Sequence, residues 1–331
     1  MFNSVDLSPG EFESAQIGKR RDNTRYAAAQ VALNLEEAIA SLPEFEGAEV
    51  LELLRFVPGL RGLFSGTLQG RPVVFRVFIG PDARGDAAKE WAELTRAWAY
   101  MQGPDFLVPE PLGYAEGQWF YAMQQVSGAL LLRHIARQEP DEQLRLIGRA
   151  GEWYATYIAP TQNLGKARPT RSLNLAEKAM LAQPHPSLAR LEVGIFAEAQ
   201  RLAERLSKGK WHSAICHGDF HLNNMFIRKD ALTGFDLGGA GTPPVAKDIA
   251  RALVHMARRG VLPSGERRFG VDAGAYARME AALPEADHAL ALPFFVAVDT
   301  LARVEQLDLG EEQLALAEAM EVGLLGDLKQ L

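Results

Sequence analysis

The chain changes texture once, near residue 125, and that change limits what it can fold into. Before it, short runs of β-branched and aromatic residues alternate with turn residues; after it, long helical periods dominate. Leu51 to Val57 reads as a strand. A glycine loop with Gly59, Gly62 and Gly66 follows, and Arg71 to Phe78, behind a Gln-Gly turn, reads as the next strand. Ala87, Trp91, Leu94, Trp98 and Met101 share one stripe and predict a helix near 87–101. Phe106 to Pro111 reads as extended, and Gln118 to Gln125 as a further strand that Gly128 breaks off. In 331 residues this order predicts an α+β fold of two lobes. Residues 1–45 are expected to form an N-terminal helical extension. Residues 46–124 form a small β-rich N-lobe, its sheet mixed or antiparallel, with one packed helix. Residues 125–331 form a larger, mostly helical C-lobe. Within the extension, residues up to about 22 read as loosely ordered. Asn23 and Thr24 are N-cap types that open a helix through Val31, Leu35 and Ile39, ended by Pro43. Lys19, Arg20, Arg21 and Arg25 read as a solvated basic face.

Composition excludes several classes. The net charge of −7 speaks against a nucleic-acid or phospholipid partner, so any phosphate site must be built locally. The single cysteine, Cys216, supports neither a disulfide nor a thiolate metal cluster. Asp6, Glu11 and Glu13 are foreign to a signal peptide. The longest apolar run, Ala289 to Val298, is interrupted by Pro293 and falls short of the roughly 20 residues that a membrane span needs. A cytoplasmic protein with no membrane span is expected.

The helical half holds one island of short apolar pieces: Ala214 to Cys216, Met225 to Ile227 and Leu232 to Phe235. Between them runs His217-Gly218-Asp219-Phe220-His221-Leu222-Asn223-Asn224, and after them Phe235-Asp236-Leu237-Gly238. An asparagine follows Asp219 by five positions, and a second aspartate follows it by 17. Phosphoryl transfer needs little covalent help from protein, but it needs alignment and charge neutralisation. One carboxylate can orient the acceptor hydroxyl and receive its proton. An amide oxygen and a second carboxylate are hard oxygen ligands for magnesium. Protein kinases use an aspartate, an asparagine and a second aspartate at these spacings. Asp219 is therefore the expected catalytic residue, and Asn224 and Asp236 the expected Mg2+ ligands. Asp and Asn are also ordinary turn residues, so each alone could merely shape a hairpin. All three at kinase spacing, each after a strand-like piece, argue for the site.

Gly218 stands where protein kinases carry arginine, and His221 is added. In this form the motif resembles the catalytic loop of aminoglycoside phosphotransferases, choline kinases and their relatives. Gly241-Thr242-Pro243-Pro244 and Asp248-Ile249-Ala250 continue the resemblance. It is specific over about 213–252 and looser over about 50–130. It implies a bilobal protein-kinase-like fold, ATP or GTP as phosphoryl donor, a small-molecule alcohol as acceptor, and a structural hydrogen-bonding role for His217. The role of His221 stays open. Asp248, just before a helix over Ile249 to Arg258, is expected to cap it.

The nucleotide side of the site falls in the N-lobe. Gly59 and Gly62 would lay backbone N–H groups over phosphates. Arg76 occupies the place where kinases usually carry lysine; it keeps the charge and can bind phosphate bidentately. Its plainer alternative is an edge-strand arginine facing solvent. On a helical wheel Glu90 lies roughly 50° from the apolar stripe and Glu93 roughly 110°, which selects Glu90 as the partner of Arg76. Met123 to Val126 would connect the lobes, with Gln125 and its neighbours Gln124 and Val126 at the base. On the acceptor side, Asp299 either faces a cationic substrate or pairs with Arg303 four residues on, the plainer expectation. Glu285, Asp287 and Glu305 make that region acidic. The alternatives to a small-molecule kinase are a nucleotide-binding pseudokinase, suggested by Arg76 alone, and a sugar or lipopolysaccharide-type kinase.

Overall fold

The computed structural model describes residues 9–238 and 241–331, with side chains from Thr24 onward. By its internal contacts the chain divides into two units. One comprises residues through Arg96 together with Pro109–Val126, the other Ala97–Val108 together with Ser127–Leu331.

The first unit is built on α1 (Pro9–Ala40), β1 (Ala48–Val57), β2 (Arg61–Leu68), β3 (Arg71–Phe78) and α2 (Ala83–Trp98). The short β4 (Phe106–Leu107) belongs to the second unit, whereas β5 (Pro111–Gly113) and β6 (Phe120–Gln124) complete the first. The strands form one sheet in the order β1-β2-β3-β6-β5, antiparallel throughout. Alternation along β3 sends Val73, Phe75 and Val77 to one face, where each is fully buried. Phe45, Phe64, Phe120 and Ala122 join them in the core. Burial of each such aliphatic or aromatic side chain contributes about 1.5–3 kcal/mol.

Three expectations change here. The glycine-rich stretch is not a loop: Gly59 sits in a tight turn, and Gly62 and Gly66 lie inside β2. Gly66 is required there because a Cβ would come within 2.1 Å of the Glu49 carbonyl oxygen and 2.6 Å of the Phe75 ring. Two helices, not one, belong to this unit. The period Leu35–Ile39 of α1 closes the core cluster, so residues expected as an extension are part of the packing. That helix already begins at Pro9, so residues 9–22 are helical in backbone and Asn23 and Thr24 are interior to it rather than caps. Arg25 is exposed. The side chains of Lys19, Arg20 and Arg21 lie outside the described residues.

The second unit continues with β7 (Ala129–Leu130), α3 (Leu131–Ile135), α4 (Pro140–Ile158), β8 (Asn163–Lys166), α5 (Thr170–Met180), α6 (Pro186–Leu206) and β9 (Lys210–Ser213). Then come β10 (Met225–Arg228), β11 (Ala231–Gly234), α7 (Ala246–Ala257), β12 (Arg267–Arg268), β13 (Val271–Asp272), α8 (Ala273–Glu280), α9 (Ala291–Leu301) and α10 (Glu311–Leu328). A small sheet, β4-β11-β10-β7, carries the β10–β11 hairpin. Helix α9 is the apolar run noted in the sequence. It is buried along its whole length and packs on α7 and α6. Pro293 is tolerated because it lies in the first turn, where an intrahelical N–H bond is not needed. Among the described residues no helix is long and apolar enough to cross a membrane. A β-rich N-terminal sheet followed by a helical C-terminal part is the predicted fold class.

Candidate active site

The loop from His217 to Asn224 rests on an aromatic platform supplied by α4. Trp153 and Tyr157 stack with ring centroids 5.3 Å apart. Phe220, fully buried, stacks on Tyr154 at 4.8 Å and on Trp153 at 6.0 Å. The Trp153 indole N–H donates to the Leu107 carbonyl at 2.9 Å, which fixes the ring. Gly234 ends β11 against that ring: a Cβ there would lie 2.2 Å from it. His217 is buried and its Nε2 donates to the Phe235 carbonyl at 3.0 Å. Burial holds its imidazole below the ordinary pKa, so it is a neutral strut between the loop and the segment that carries Asp236.

The β10–β11 hairpin then brings the two expected metal ligands together. Met225 pairs with Gly234, and the Phe235 N–H donates to the Asn224 carbonyl at 3.0 Å. Asn224 and Asp236 are thus neighbours across the open end of the hairpin. The Asn224 side-chain NH₂ donates to the Asp219 carbonyl at 3.0 Å, which leaves Oδ1 as the acceptor end of that amide. Asp236 has φ of +64°, a left-handed conformation uncommon for residues other than glycine and enriched at functional sites. One amide oxygen and one carboxylate fit magnesium, which prefers hard oxygens and takes one or two protein carboxylates plus phosphates. Among the described residues no group of three or more His, Cys, Asp or Glu side chains forms a closed metal cage.

Asp219 is half-exposed and its Oδ1 meets Arg251 of α7 at 2.5 Å and His221 Nε2 at 3.6 Å. The His221 ring and the Arg251 guanidinium hold its carboxyl well below the usual carboxylate range, against the opposing effect of burial. His221 in turn stacks on His255 at 4.3 Å. Asp248 does not cap α7. The helix starts at Ala246, and the buried Asp248 carboxylate instead accepts from the Gly218 backbone N–H at 3.0 Å, tying the helix to the His217–Asn224 loop.

In the first unit Arg76 is buried on a central strand, which removes the solvent-facing alternative. Its guanidinium meets Glu90 bidentately, Nε to Oε2 at 2.5 Å and Nη2 to Oε1 at 3.1 Å, and the Tyr121 hydroxyl donates to the same carboxylate at 3.3 Å. Glu93 is buried and pairs with Arg96 at 2.5 Å. Gly59 and Gly62 occupy the β1–β2 turn and the start of β2. The Gln124 and Gln125 N–H groups are spent on the Glu110 and Pro72 carbonyls. Gln125 therefore offers a ligand only its carbonyl and side chain.

Asp299 is buried and bound by Arg303 at 2.9 Å and Arg251 at 3.7 Å, so it pairs internally, as the spacing to Arg303 suggests. Sequence reasoning missed Arg251, His255 and the α4 aromatics. Their partners lie tens of residues away, and only the Asp248-Ile249-Ala250 match pointed toward α7.

The family model of the phosphotransferase enzyme family, APH, matches residues 61–282, about two thirds of the chain. A search of curated proteins finds no match to the sequence. Solved structures similar to it include the aminoglycoside phosphotransferase APH(4)-Ia, at 15% identity over 89% of this chain and 99% of that one, with a TM-score of 0.58. A thermostable mutant of that enzyme, in ternary complex with ADP and hygromycin B, matches at 14% identity over 90% and 98%, with a TM-score of 0.58. A microcompartment-associated aminopropanol kinase matches at 16% identity over 89% and 97%, with a TM-score of 0.56. At such identities these likenesses establish the kinase-like fold, and the family match establishes the rest: the chain belongs to the phosphotransferase enzyme family.

Proposed function

We propose that the protein transfers the γ-phosphoryl group of ATP or GTP, with magnesium, to a hydroxyl group of a small molecule. The observation that carries this reading is the convergence of Asp219, Asn224 and Asp236 on one loop and one hairpin end. Similar structures that hold ADP or AMP-PNP with hygromycin B support it.

In this reading Asp219 is ionised and orients the acceptor. Both of its observed contacts fall on Oδ1, so Oδ2 would accept the hydroxyl hydrogen bond. The acceptor oxygen attacks the γ-phosphorus, the bond to the β–γ bridging oxygen breaks, and nucleoside diphosphate leaves. A carboxylate held so acidic is a weak base, which suits a loose transition state in which the proton passes to Asp219 late. Magnesium, when bound, supplies neutralisation of phosphate charge. Asn224 Oδ1 and the Asp236 carboxylate would hold it, and Arg76, oriented by Glu90, would hold phosphate oxygens. Gly59, Gly62 and Gln125 would contact the nucleotide through backbone and carbonyl groups. Arg76 in the lysine place weakens the pseudokinase reading rather than supporting it, because its bidentate pairing reproduces the cation–glutamate unit that kinases use.

Calorimetry of nucleotide binding with and without magnesium tests the metal site. In the wild type, magnesium should tighten ATP binding at least about tenfold, and Asp236→Ala should abolish that gain. A mutant that keeps the full magnesium enhancement would remove Asp236 from this role.

A further inference from the structure

The second unit contains a cavity of about 400 Å³ beside the catalytic loop. Gly218, adjacent in the chain to Asp219, and Gly238, two residues past Asp236, line it. So do three cationic side chains, Arg168 and Arg171 around the start of α5 and Lys247 on α7, and no aspartate or glutamate is among its described lining residues. An adjoining hollow of about 820 Å³ shares Arg168 and Arg171 and adds Lys166, again with no carboxylate. None of Arg168, Arg171 and Lys247 makes an ion pair among the described residues. In a chain of net charge −7, three exposed cations around one cavity make it a locally positive site.

A second observation concerns the carboxylates that could greet a positively charged acceptor. Asp219 is ion-paired with Arg251, and Asp299 is bound by both Arg303 and Arg251. Asp287 and Glu305, from the same acidic stretch, are paired with His212 and Arg258. A cationic acceptor that displaced Arg251 from Asp219 or Arg303 from Asp299 would leave arginines uncompensated. An anionic acceptor needs no such exchange.

We propose that the acceptor is an anionic alcohol, a small molecule that carries a phosphate or carboxylate group besides its reacting hydroxyl, and that Arg168, Arg171 and Lys247 hold that anion. This rests on the reading of Asp219 as the hydroxyl-orienting residue. A cavity of this size admits a molecule of monosaccharide dimensions. Guanidinium groups suit both oxyanions because their paired N–H donors match two oxygens at once. Arg251 adds a cation at the reacting end, where it sets the position of Asp219.

The test uses the full chain and matched alcohols: a neutral hexose, its amino sugar, its sugar phosphate and its sugar acid. Product formation with magnesium and ATP is followed by mass spectrometry, and binding of the sugar phosphate and the sugar acid by calorimetry. The sugar phosphate or the sugar acid should be used with a kcat/KM at least about tenfold above the neutral and amino forms, and whichever of the two binds identifies the anion. R168E/R171E should raise the KM for that acceptor at least about tenfold, with nucleotide affinity and melting temperature unchanged, and added salt should weaken wild-type acceptor binding. Preference for the amino sugar, an unchanged KM in the double variant, or a loss confined to nucleotide affinity would overturn the proposal. If no alcohol is phosphorylated, the kinase reading fails by itself. The anion site is then judged by calorimetry: binding of either probe that R168E/R171E abolishes sustains it, and no binding removes it.

Discussion

Glu321 on α10 is almost wholly buried, and its carboxyl is pushed up to about 8, by burial first and then by the neighbouring Glu192, with Arg258 opposing. In the unfolded chain the same group ionises near the ordinary glutamate value. Between these two values the folded state holds a proton that the unfolded state lacks, so stability is greatest below the lower value and falls as pH rises toward 8. Glu321→Gln removes that titration. The drop in stability from pH 5 to pH 8, measured by denaturant unfolding, should shrink by about 3–4 kcal/mol in the variant. An identical drop in both proteins would show that Glu321 is ionised in the fold. Single residues were legible in the sequence where their partners were near. The wheel angle separated Glu90 from Glu93, and the spacing of Asp299 and Arg303 announced their pair. Asp248 was misjudged because its position is that of a cap while its partner, Gly218, lies 30 residues upstream. Arg251 went unseen for the same reason, since its contact with Asp219 spans 32 residues.

At the scale of elements, β3 and α2 form the unit on which the cation depends. Strand alternation puts Arg76 on the face opposite Phe75 and Val77, and α2 presents Glu90 to it. The two should be energetically coupled in ATP binding. A double-mutant cycle with Arg76→Met and Glu90→Gln should give a coupling of about 1 kcal/mol or more, because an unpartnered Arg76 loses its fixed orientation. Strict additivity would mean that Glu90 does not position Arg76 for nucleotide. Elements with a clean period, α2 and β3, could be read directly. Strand β2 could not, because Gly62 and Gly66 look like loop residues until the crowding of Gly62 by Phe64 and of Gly66 by Glu49 and Phe75 is known. Helix α1 had an evident period at Leu35 and Ile39, but the sheet face that they cover is visible only in three dimensions.

For the molecule as a whole, the family match begins inside the β-sheet of the first unit and ends just past α8, so it includes Arg76, Glu90, Asp219, Asn224 and Asp236 together. The strand-rich to helix-rich change in texture was enough to give the fold class, and the island in the helical half was enough to locate the candidate chemistry. The proposed acceptor side was not legible: Arg168 and Arg171 lie together at the start of α5, but Lys247 comes from α7 and shares no spacing with them. The central claim is phosphoryl transfer to an alcohol with Asp219 at the acceptor. Its most direct measurement is the rate of phosphorylated-product formation from ATP and magnesium across sugars, amino sugars, amino alcohols, acidic sugars, sugar phosphates and glycolipids, for the wild type and for Asp219→Asn. The wild type should phosphorylate at least one of these alcohols, and Asp219→Asn should lower that rate by about 10²–10⁴-fold with nucleotide affinity preserved. A wild type that binds Mg–ATP and phosphorylates none of them, or a variant that keeps more than about a tenth of the rate, would contradict the account.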